Sequence, residues 1–279
     1  MTILPWAQGT PVDGSAFSSK LVGGVSAQTG QFPYISGIYL ASTGEQHCTG
    51  SIISPTHILT AGHCLAPPEQ GKSALSAHDL VVTVGTVDSS ACDALPLKRV
   101  YMDPNYNAET HDHDFAILEL TQALTFNSTV SSIKLDLDDL VDGKEVTVAA
   151  FGRDGSGYPT KDLQVLEVTA GPKDSCLAGT HNTPNWEGFL HCARGIQVGS
   201  GTCYGDSGSP LIDSSSSASP RLLGVNSYAI NYRTYESYVC GGNNTLAYWG
   251  RASRALSFIR LVTGMDEEAL TQEQGSYYY

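Results

Sequence analysis

The hexapeptide Gly205-Asp206-Ser207-Gly208-Ser209-Pro210 is the most informative stretch of this sequence. A serine flanked by glycines can lie on a tight turn, where its hydroxyl is exposed and nearby backbone N–H groups can converge on one oxygen atom. That geometry suits a nucleophile that attacks a carbonyl group. Glycine, aspartate and serine are also ordinary turn residues, so the hexapeptide alone does not identify a nucleophile. Two stretches elsewhere in the chain support that interpretation.

The two supporting stretches are Thr60-Ala61-Gly62-His63-Cys64 and His113-Asp114-Phe115-Ala116-Ile117-Leu118. A serine hydroxyl needs a base within hydrogen-bond reach, and the imidazole of His63 is the best candidate. Asp114 directly precedes an apolar strand, so its carboxylate is expected to be buried and to orient that imidazole.

The run His111-Asp112-His113-Asp114 leaves two alternatives open. Asp112 is the second candidate for the orienting acid. The four side chains could also form a metal site, although no further ligand is evident and the orienting role already accounts for Asp114. We favour Asp114 as the acid and expect neither a metal nor a cofactor.

Taken together, the three stretches resemble the trypsin/chymotrypsin family of serine proteases, which carries histidine, aspartate and serine in this order. The resemblance extends over residues 21–264. It implies an all-β fold of two antiparallel six-stranded β-barrels with a C-terminal helix. It also implies a catalytic triad of His63, Asp114 and Ser207, with the backbone N–H groups of Gly205 and Ser207 forming the oxyanion hole.

The resemblance further implies that the chain is made as a zymogen. The segment Leu21-Val22-Gly23-Gly24 is similar to the family's activation site, so cleavage is expected between Lys20 and Leu21. The new ammonium group of Leu21 would then pair with the carboxylate of Asp206 and shape the oxyanion hole. Residues 1–20 are rich in small and polar residues and are interpreted as a leader.

The resemblance also implies a primary specificity pocket with Gly201 at its base and Ser227-Tyr228-Ala229 along one wall, where Ser227 is expected to bond the substrate backbone. The other wall falls near Ala247. Since an uncompensated buried cation is costly, a neutral base predicts weak cleavage after lysine or arginine. The pocket is expected to be apolar, and chymotrypsin-like and elastase-like preferences are not separated. A different, trypsin-like protease would then be needed to cut after Lys20.

Composition and charge limit the classes of partner. The 279 residues carry 28 acidic and 15 basic side chains, and the net charge of −13 argues against nucleic acid or an anionic membrane as a partner. With 15% charged residues and 29 glycines, the chain is typical of a β-rich, loop-rich fold. No apolar stretch is long enough to span a membrane. The first residues lack the pattern of a signal peptide, and a secretion signal is expected to have been removed.

The seven cysteines indicate an oxidising compartment and hence a secreted, extracellular protein. The family resemblance implies three disulfides, which are Cys48–Cys64, Cys176–Cys192 and Cys203–Cys240. Cys92 then remains, either as a buried thiol or in an intermolecular bridge. Two glycosylation sequons begin at Asn127 and Asn243.

Short β-type runs separated by turn residues predict the strands. They are Tyr34–Leu40, His57–Thr60, Leu80–Val84, Phe115–Leu120, Glu145–Val148, Leu163–Val168 and Arg221–Val225. The acidic stretch Asp136–Gly143 is expected to connect the two halves as a solvated loop, with a calcium site as the less favoured alternative. Helical spacing predicts a helix over Ala252–Thr263 that ends at Gly264. Residues 265–279 are expected to form a flexible tail.

The expected function is that of a secreted serine endopeptidase, a monomer that acts on protein or peptide substrates. Its other expected partners are the activating protease and protein protease inhibitors. The alternative is a catalytically silent homologue that acts as a binding or inhibitory protein. An esterase on another fold is disfavoured, because position 209 is serine and the Gly-x-Ser-x-Gly pattern is not matched.

Overall fold

The computed structural model of the chain describes residues 21–66, 73–88, 93–153, 158, 160–171, 176, 186–197, 199–215, 219–231, 240 and 244–273. The expected leader with Lys20, the side chain of Cys92, the sequon at Asn243 and residues 274–279 lie outside this range. The described strands form two closed, six-stranded antiparallel β-barrels, which confirms the fold class that the resemblance implied.

The first barrel has the strand order β2-β3-β4-β7-β6-β5, and pairing of β2 with β5 closes it. Each strand predicted in this half is present to within one residue. A two-residue strand precedes the barrel. The bounds are β1 Val25–Ser26, β2 Ile35–Leu40, β3 Gln46–Ser54, β4 His57–Thr60, β5 Leu80–Val84, β6 Leu95–Met102 and β7 Ala116–Leu120.

The second barrel has the order β9-β10-β11-β14-β13-β12 and is closed by pairing of β12 with β9. Two short strands join it from outside: β1 pairs with β10, and β8 pairs in parallel with β13. The bounds are β8 Lys134–Leu135, β9 Glu145–Ala150, β10 Gln164–Ala170, α1 Trp186–Phe189, β11 Leu190–Gly195, β12 Pro210–Asp213, β13 Arg221–Asn231 and β14 Thr245–Arg251.

Apolar side chains paired across neighbouring strands form the core. In the first barrel Ile38 lies opposite Val82, and Ile52 lies opposite Ile58, with all four side chains fully buried. The second barrel has a separate cluster that includes the fully buried Trp249. Full burial of one such side chain contributes about 1.5–3 kcal/mol, so these pairs specify the register of each sheet.

The two barrels meet closely beside Phe115, the residue that follows Asp114. Phe115 is buried, and a Cβ atom at Gly250 on β14 would lie 2.8 Å from its ring. Only glycine leaves room for that contact. The start of β7, with the carboxylate before it, is therefore held at the junction of the barrels.

The predicted C-terminal helix is confirmed. Helix α2 spans Ala252–Thr263, buries Ala252, Ala255, Phe258 and Ile259 on one face, and ends at Gly264 in a left-handed conformation.

The structure corrects the prediction of a flexible tail for its described part, residues 265–273. A short helix, α3 (Glu267–Thr271), begins after Asp266, whose carboxylate accepts a hydrogen bond from the N–H of Ala269. Leu270 is buried, and Lys134 donates to the carbonyl of Ala269. One buried leucine and a capped turn therefore hold this segment against the second barrel.

The position of the connector also differs from the prediction. The chain leaves the first barrel at Leu120 and has already joined the second sheet at β8, so the crossing runs through residues 121–133. Asp136–Gly143, the predicted connector, instead links β8 to β9 within the second half. Charge alone marked Asp136–Gly143 as a loop, and nothing in its composition told which two strands it joins.

Candidate active site

His63 lies on a single 3₁₀ turn, Gly62–Cys64, that follows β4. The disulfide Cys48–Cys64 ties this turn to β3, with an S–S distance of 2.01 Å. A Cβ atom at Gly62 would lie 3.1 Å from a carboxylate oxygen of Asp114, so glycine permits the close approach of turn and acid. The base candidate is thus held by a covalent link on one side and by packing on the other.

Asp114 precedes β7, and its side chain is fully buried. Its Oδ1 accepts the backbone N–H of His63 at 2.7 Å, and its Oδ2 lies 2.8 Å from Nδ1 of His63. The hydroxyl of Ser227, on β13 of the second barrel, donates to the same Oδ2 at 2.5 Å. Because a carboxylate only accepts, Nδ1 of His63 carries a proton and Nε2 is the free base.

The two ionisable groups stabilise each other's charged form. Burial acts to raise the pKa of Asp114, but the charge of His63 and the side-chain interactions of His111, His63 and Ser227 with the carboxylate hold that pKa well below its usual range. Burial likewise acts to lower the pKa of His63, and the charge and hydrogen bond of Asp114 outweigh it and raise the pKa. His63 is therefore a stronger base than an isolated imidazole.

The structure assigns the orienting contact to Asp114 rather than to Asp112. An Oδ1 atom of Asp112 is buried without a hydrogen-bond partner, whereas both oxygens of Asp114 are bonded to His63. The neighbouring histidines do not converge on one point, since His111 faces Asp114 and His113 faces Asp103. This divergence is unfavourable for the metal cluster that the run His111–Asp114 left open.

Ser207 lies on the turn before β12, half-buried, and its backbone is held by the first barrel. The N–H of Thr49 donates to the carbonyl of Ser207 at 2.8 Å. A Cβ atom at Gly208, where φ is +81°, would lie 2.0 Å from the hydroxyl oxygen of Thr60. The Ser207 turn thus packs directly on the segment that carries His63. Among the described residues, His63 is hydrogen-bonded to Asp114. No hydrogen bond joins His63 to the hydroxyl of Ser207, which is also described.

Gly205 adopts a φ of +87°, a conformation that favours glycine. Its carbonyl accepts hydrogen bonds from the amide of Gln46 at 2.8 Å and from the hydroxyl of Thr49 at 3.1 Å. Sequence reasoning missed both donors. Gln46 lies 159 positions from Gly205 in sequence, and a local sequence pattern does not predict a contact between residues so far apart.

Asp206 is completely buried, and its carboxylate accepts the backbone N–H groups of Cys203 at 2.6 Å and Gly152 at 2.9 Å. Burial raises the pKa of Asp206 to about 8, against the lowering effect of these two hydrogen bonds. Leu21 is buried in the core cluster of the second barrel, and the carbonyl of Val22 accepts the N–H of Gly201. The segment that follows the expected cleavage point thus already lies in the second barrel.

Three of the predicted pocket residues, Ser227, Tyr228 and Ala229, lie on β13 of the second barrel. A Cβ atom at Gly201 would meet no atom of the described residues within 4 Å, which indicates open space above Gly201 on their side. Ala229 is the register partner of Ala247 on the neighbouring strand β14. The hydroxyl of Ser227 is engaged with Asp114, a contact that the sequence interpretation did not foresee.

Tyr228 belongs to an aromatic stack. Its ring lies 4.7 Å from the ring of His111 on one side and 4.7 Å from that of Tyr248 on the other. This stack joins the loop before Asp114 to the second barrel. It was missed because histidine and tyrosine at distant positions carry no pairing signal.

All three disulfides implied by the resemblance are formed, Cys48–Cys64, Cys176–Cys192 and Cys203–Cys240. The last of them holds the segment between Gly201 and Ser207 to the loop before β14. Disulfides at these places favour an oxidising compartment.

Two closed β-barrels with a hydrogen-bonded histidine–aspartate pair at their junction define the class of double-barrel serine proteases. Comparison of sequences agrees, since the family model described as Trypsin matches residues 21–258. The chain belongs to the trypsin family of serine proteases.

Individual relatives are distant in sequence. Trypsin 5G1 of Aedes aegypti is 26% identical over 253 residues, which cover 89% of this chain and 86% of that protein. Duodenase-1 of Bos taurus is 29% identical over 200 residues, covering 70% of this chain and 76% of that protein. Ovochymase of Halocynthia roretzi is 26% identical over 90% of this chain, and the match spans only 15% of ovochymase. No helix among the described residues is long and apolar enough to cross a membrane.

Proposed function

We propose that this chain is a secreted serine endopeptidase that works through His63, Asp114 and Ser207. The observation that carries the proposal is the hydrogen-bonded pair of His63 and Asp114, placed against the turn that bears Ser207. The buried carboxylate fixes the proton on Nδ1 of the imidazole and leaves Nε2 to accept another.

The proposed reaction has two halves. Nε2 of His63 takes the proton of the Ser207 hydroxyl while Oγ attacks the peptide carbonyl carbon, and the same proton then passes to the leaving amine. Water repeats the sequence on the acyl-enzyme and regenerates the serine. Asp114 stays ionised throughout and stabilises the imidazolium.

The negative charge on the attacked oxygen would be stabilised by the N–H groups of Gly205 and Ser207. The positive φ of Gly205 and the two hydrogen bonds to its carbonyl support this role, because they fix the backbone on which the donors lie. Losing one such donor typically costs about 10²–10³-fold in kcat.

We also propose that the chain is activated by cleavage between Lys20 and Leu21. Asp206 supports this step, because a completely buried carboxylate with a pKa near 8 has no cationic partner among the described residues. A free ammonium group on Leu21, already in the second barrel, is the partner that cleavage would create. An activating trypsin-like protease, peptide substrates and protein inhibitors are the partners this proposal implies, with the enzyme acting as a monomer.

Active-site labelling tests the proposal. Full-length chain and chain cut to begin at Leu21 are treated with a fluorophosphonate, and the modified peptide is identified by mass spectrometry. We expect modification of Ser207 in the cut chain, little in the uncut chain, and none in Ser207→Ala. A folded, cut chain that stays unmodified would instead establish the silent homologue.

The pocket proposal is tested separately with Gly201→Asp in the cut chain. A carboxylate placed in the open space above residue 201 would pair with a basic substrate side chain and relieve the cost of burying it. We expect the wild type to cleave a peptide library after apolar residues, and the variant to shift at least tenfold towards lysine and arginine. Gly201→Asn is the uncharged control. Preference for basic residues in the wild type would refute the pocket assignment.

A further inference from the structure

His111 is a histidine for which the proposed triad has no use, yet it lies against the triad. Its Nδ1 is 3.9 Å from Oδ2 of Asp114, the oxygen that is also bonded to His63. The rings of His111 and His63 meet edge to face, with centroids 6.5 Å apart. Two imidazoles therefore flank one buried carboxylate.

The backbone conformation and the packing of His111 hold its ring in place beside Asp114. The residue adopts a φ of +57°, which is uncommon for a residue other than glycine, and its ring is packed on Tyr228. Its Nδ1 atom is buried, and at 3.9 Å from Oδ2 it lies beyond the usual hydrogen-bond distance. The interaction of His111 with the carboxylate nevertheless contributes to lowering the pKa of Asp114, so the ring is placed to donate to this oxygen.

Among the described residues, the neighbours of His111 that can carry charge lie on three elements. The titratable groups that face it are Asp114 in its own loop, His63 on the 3₁₀ turn and Tyr228 on β13. Asp112 adjoins it in sequence. Asp114 attracts a protonated His111, whereas a protonated His63 repels it.

We propose that His111 and His63 share Asp114 and that a proton on His111 opposes protonation of His63. Histidine is the side chain that most readily gains or loses a positive charge near neutral pH, and a charge on one ring acts on the other through the shared carboxylate. Two sites that interact in this way lose their protons as a coupled pair rather than independently. His111 is thus a positioning residue that acts on His63 through Asp114 and disfavours the protonated form of the base. The coupling between the two rings does not depend on the proposed function; only the predicted effect on catalysis rests on the proposed role of His63 as the base.

Nuclear magnetic resonance titration of the histidine rings in the full chain tests the coupling without requiring activity. The variant His111→Asn removes the imidazole and keeps a residue that tolerates positive φ. The matched control is His113→Asn, since His113 also has a positive φ, of +55°, but faces Asp103 instead. We expect the midpoint of His63 to rise by roughly half a pH unit or more in His111→Asn, as expected for charges at this separation in water. His113→Asn should leave it unchanged.

Each other outcome has a defined meaning. An unchanged midpoint in folded His111→Asn, or an equal rise in both variants, overturns the inference. If His111→Asn does not fold, the wild-type curve of His63 decides, since two steps support coupling and a single-site curve refutes it. In the cut chain the acid limb of kcat/KM should move with the midpoint. A shifted midpoint in a protein without activity would leave this inference standing and remove the proposed function.

Discussion

Asp114 and Asp206 are both fully buried carboxylates, but they have opposite electrostatic surroundings. Asp114 is bonded to His63 and Ser227, and its pKa is held well below the usual range. Among the described residues, the carboxylate of Asp206 has two backbone N–H donors, and burial raises its pKa to about 8. The difference teaches that two backbone donors do not keep a buried carboxylate ionised here, whereas a hydrogen-bonded imidazole that can take up a positive charge does. The proposed activation would give Asp206 a partner that can carry positive charge, the ammonium group of Leu21, as His63 is for Asp114.

The largest effect is expected where His63 loses its carboxylate acceptor. Asp114→Asn keeps the shape of the side chain but cannot fix the proton on Nδ1 of His63. We expect kcat of the cut enzyme to fall about 10⁴-fold. Steady-state kinetics on a peptide substrate measure the loss.

Asp112→Asn is the matched control for that change, because Asp112 lies two positions away and does not contact His63 in this structure. It should retain nearly full kcat. Equal losses in the two variants would mean that the loop as a whole, rather than one carboxylate, supports the base.

The second effect concerns Asp206 before and after cleavage. Asp206→Asn in the cut chain would leave the ammonium group of Leu21 buried without a counter-charge, at a cost of about 3–5 kcal/mol in unfolding free energy. In the uncut chain the same change removes one hydrogen bond at most, worth about 1 kcal/mol. Urea unfolding of both forms gives the two values.

The same pair of forms should differ in pH dependence. The pKa of Asp206 in the folded uncut chain lies above its ordinary value of 3.8, so its contribution favours folding at low pH and is lost as the pH rises towards 8. The uncut chain should therefore lose stability over this range relative to the cut chain. Parallel stability curves for the two forms would contradict the expected ion pair.

The smallest effect is expected from Ser227→Ala. The hydroxyl of Ser227 donates to Oδ2 of Asp114, and a hydrogen bond to a charged group contributes about 1.5–3 kcal/mol. Its loss should raise the pKa of Asp114 and weaken the hold on His63, lowering kcat roughly tenfold. Ser209→Ala is a control on the same barrel, because the Ser209 hydroxyl is buried and has no hydrogen-bond partner within the described part of the chain. An unaltered kcat in Ser227→Ala would show that His63 alone orients the acid.

The sequence was sufficient for the features that local patterns encode. Strands bounded by turn residues, the helix Ala252–Thr263 and its end at Gly264 follow from periodicity and capping, and three short motifs carried the family resemblance. The pair of His63 and Asp114 could also be expected, because an acid placed just before an apolar strand is buried where the strand begins.

Other features depend on packing between distant segments and left no signal. Gln46 and Thr49 bind the carbonyl of Gly205 from another barrel, and His111 stacks on Tyr228 across the junction. The helix Glu267–Thr271 was missed because five residues give too short a period to detect, and a single leucine decides its packing.

Thr49 has a consequence for how the molecule assembles. It belongs to the first barrel, yet its backbone and hydroxyl shape the loop of the second barrel that bears Ser207. A chain that refolds one barrel at a time would regain its circular dichroism before that loop acquires its final form. Reactivity of the serine should then return after a kinetic lag, and the length of the lag would report the rate at which the two halves dock.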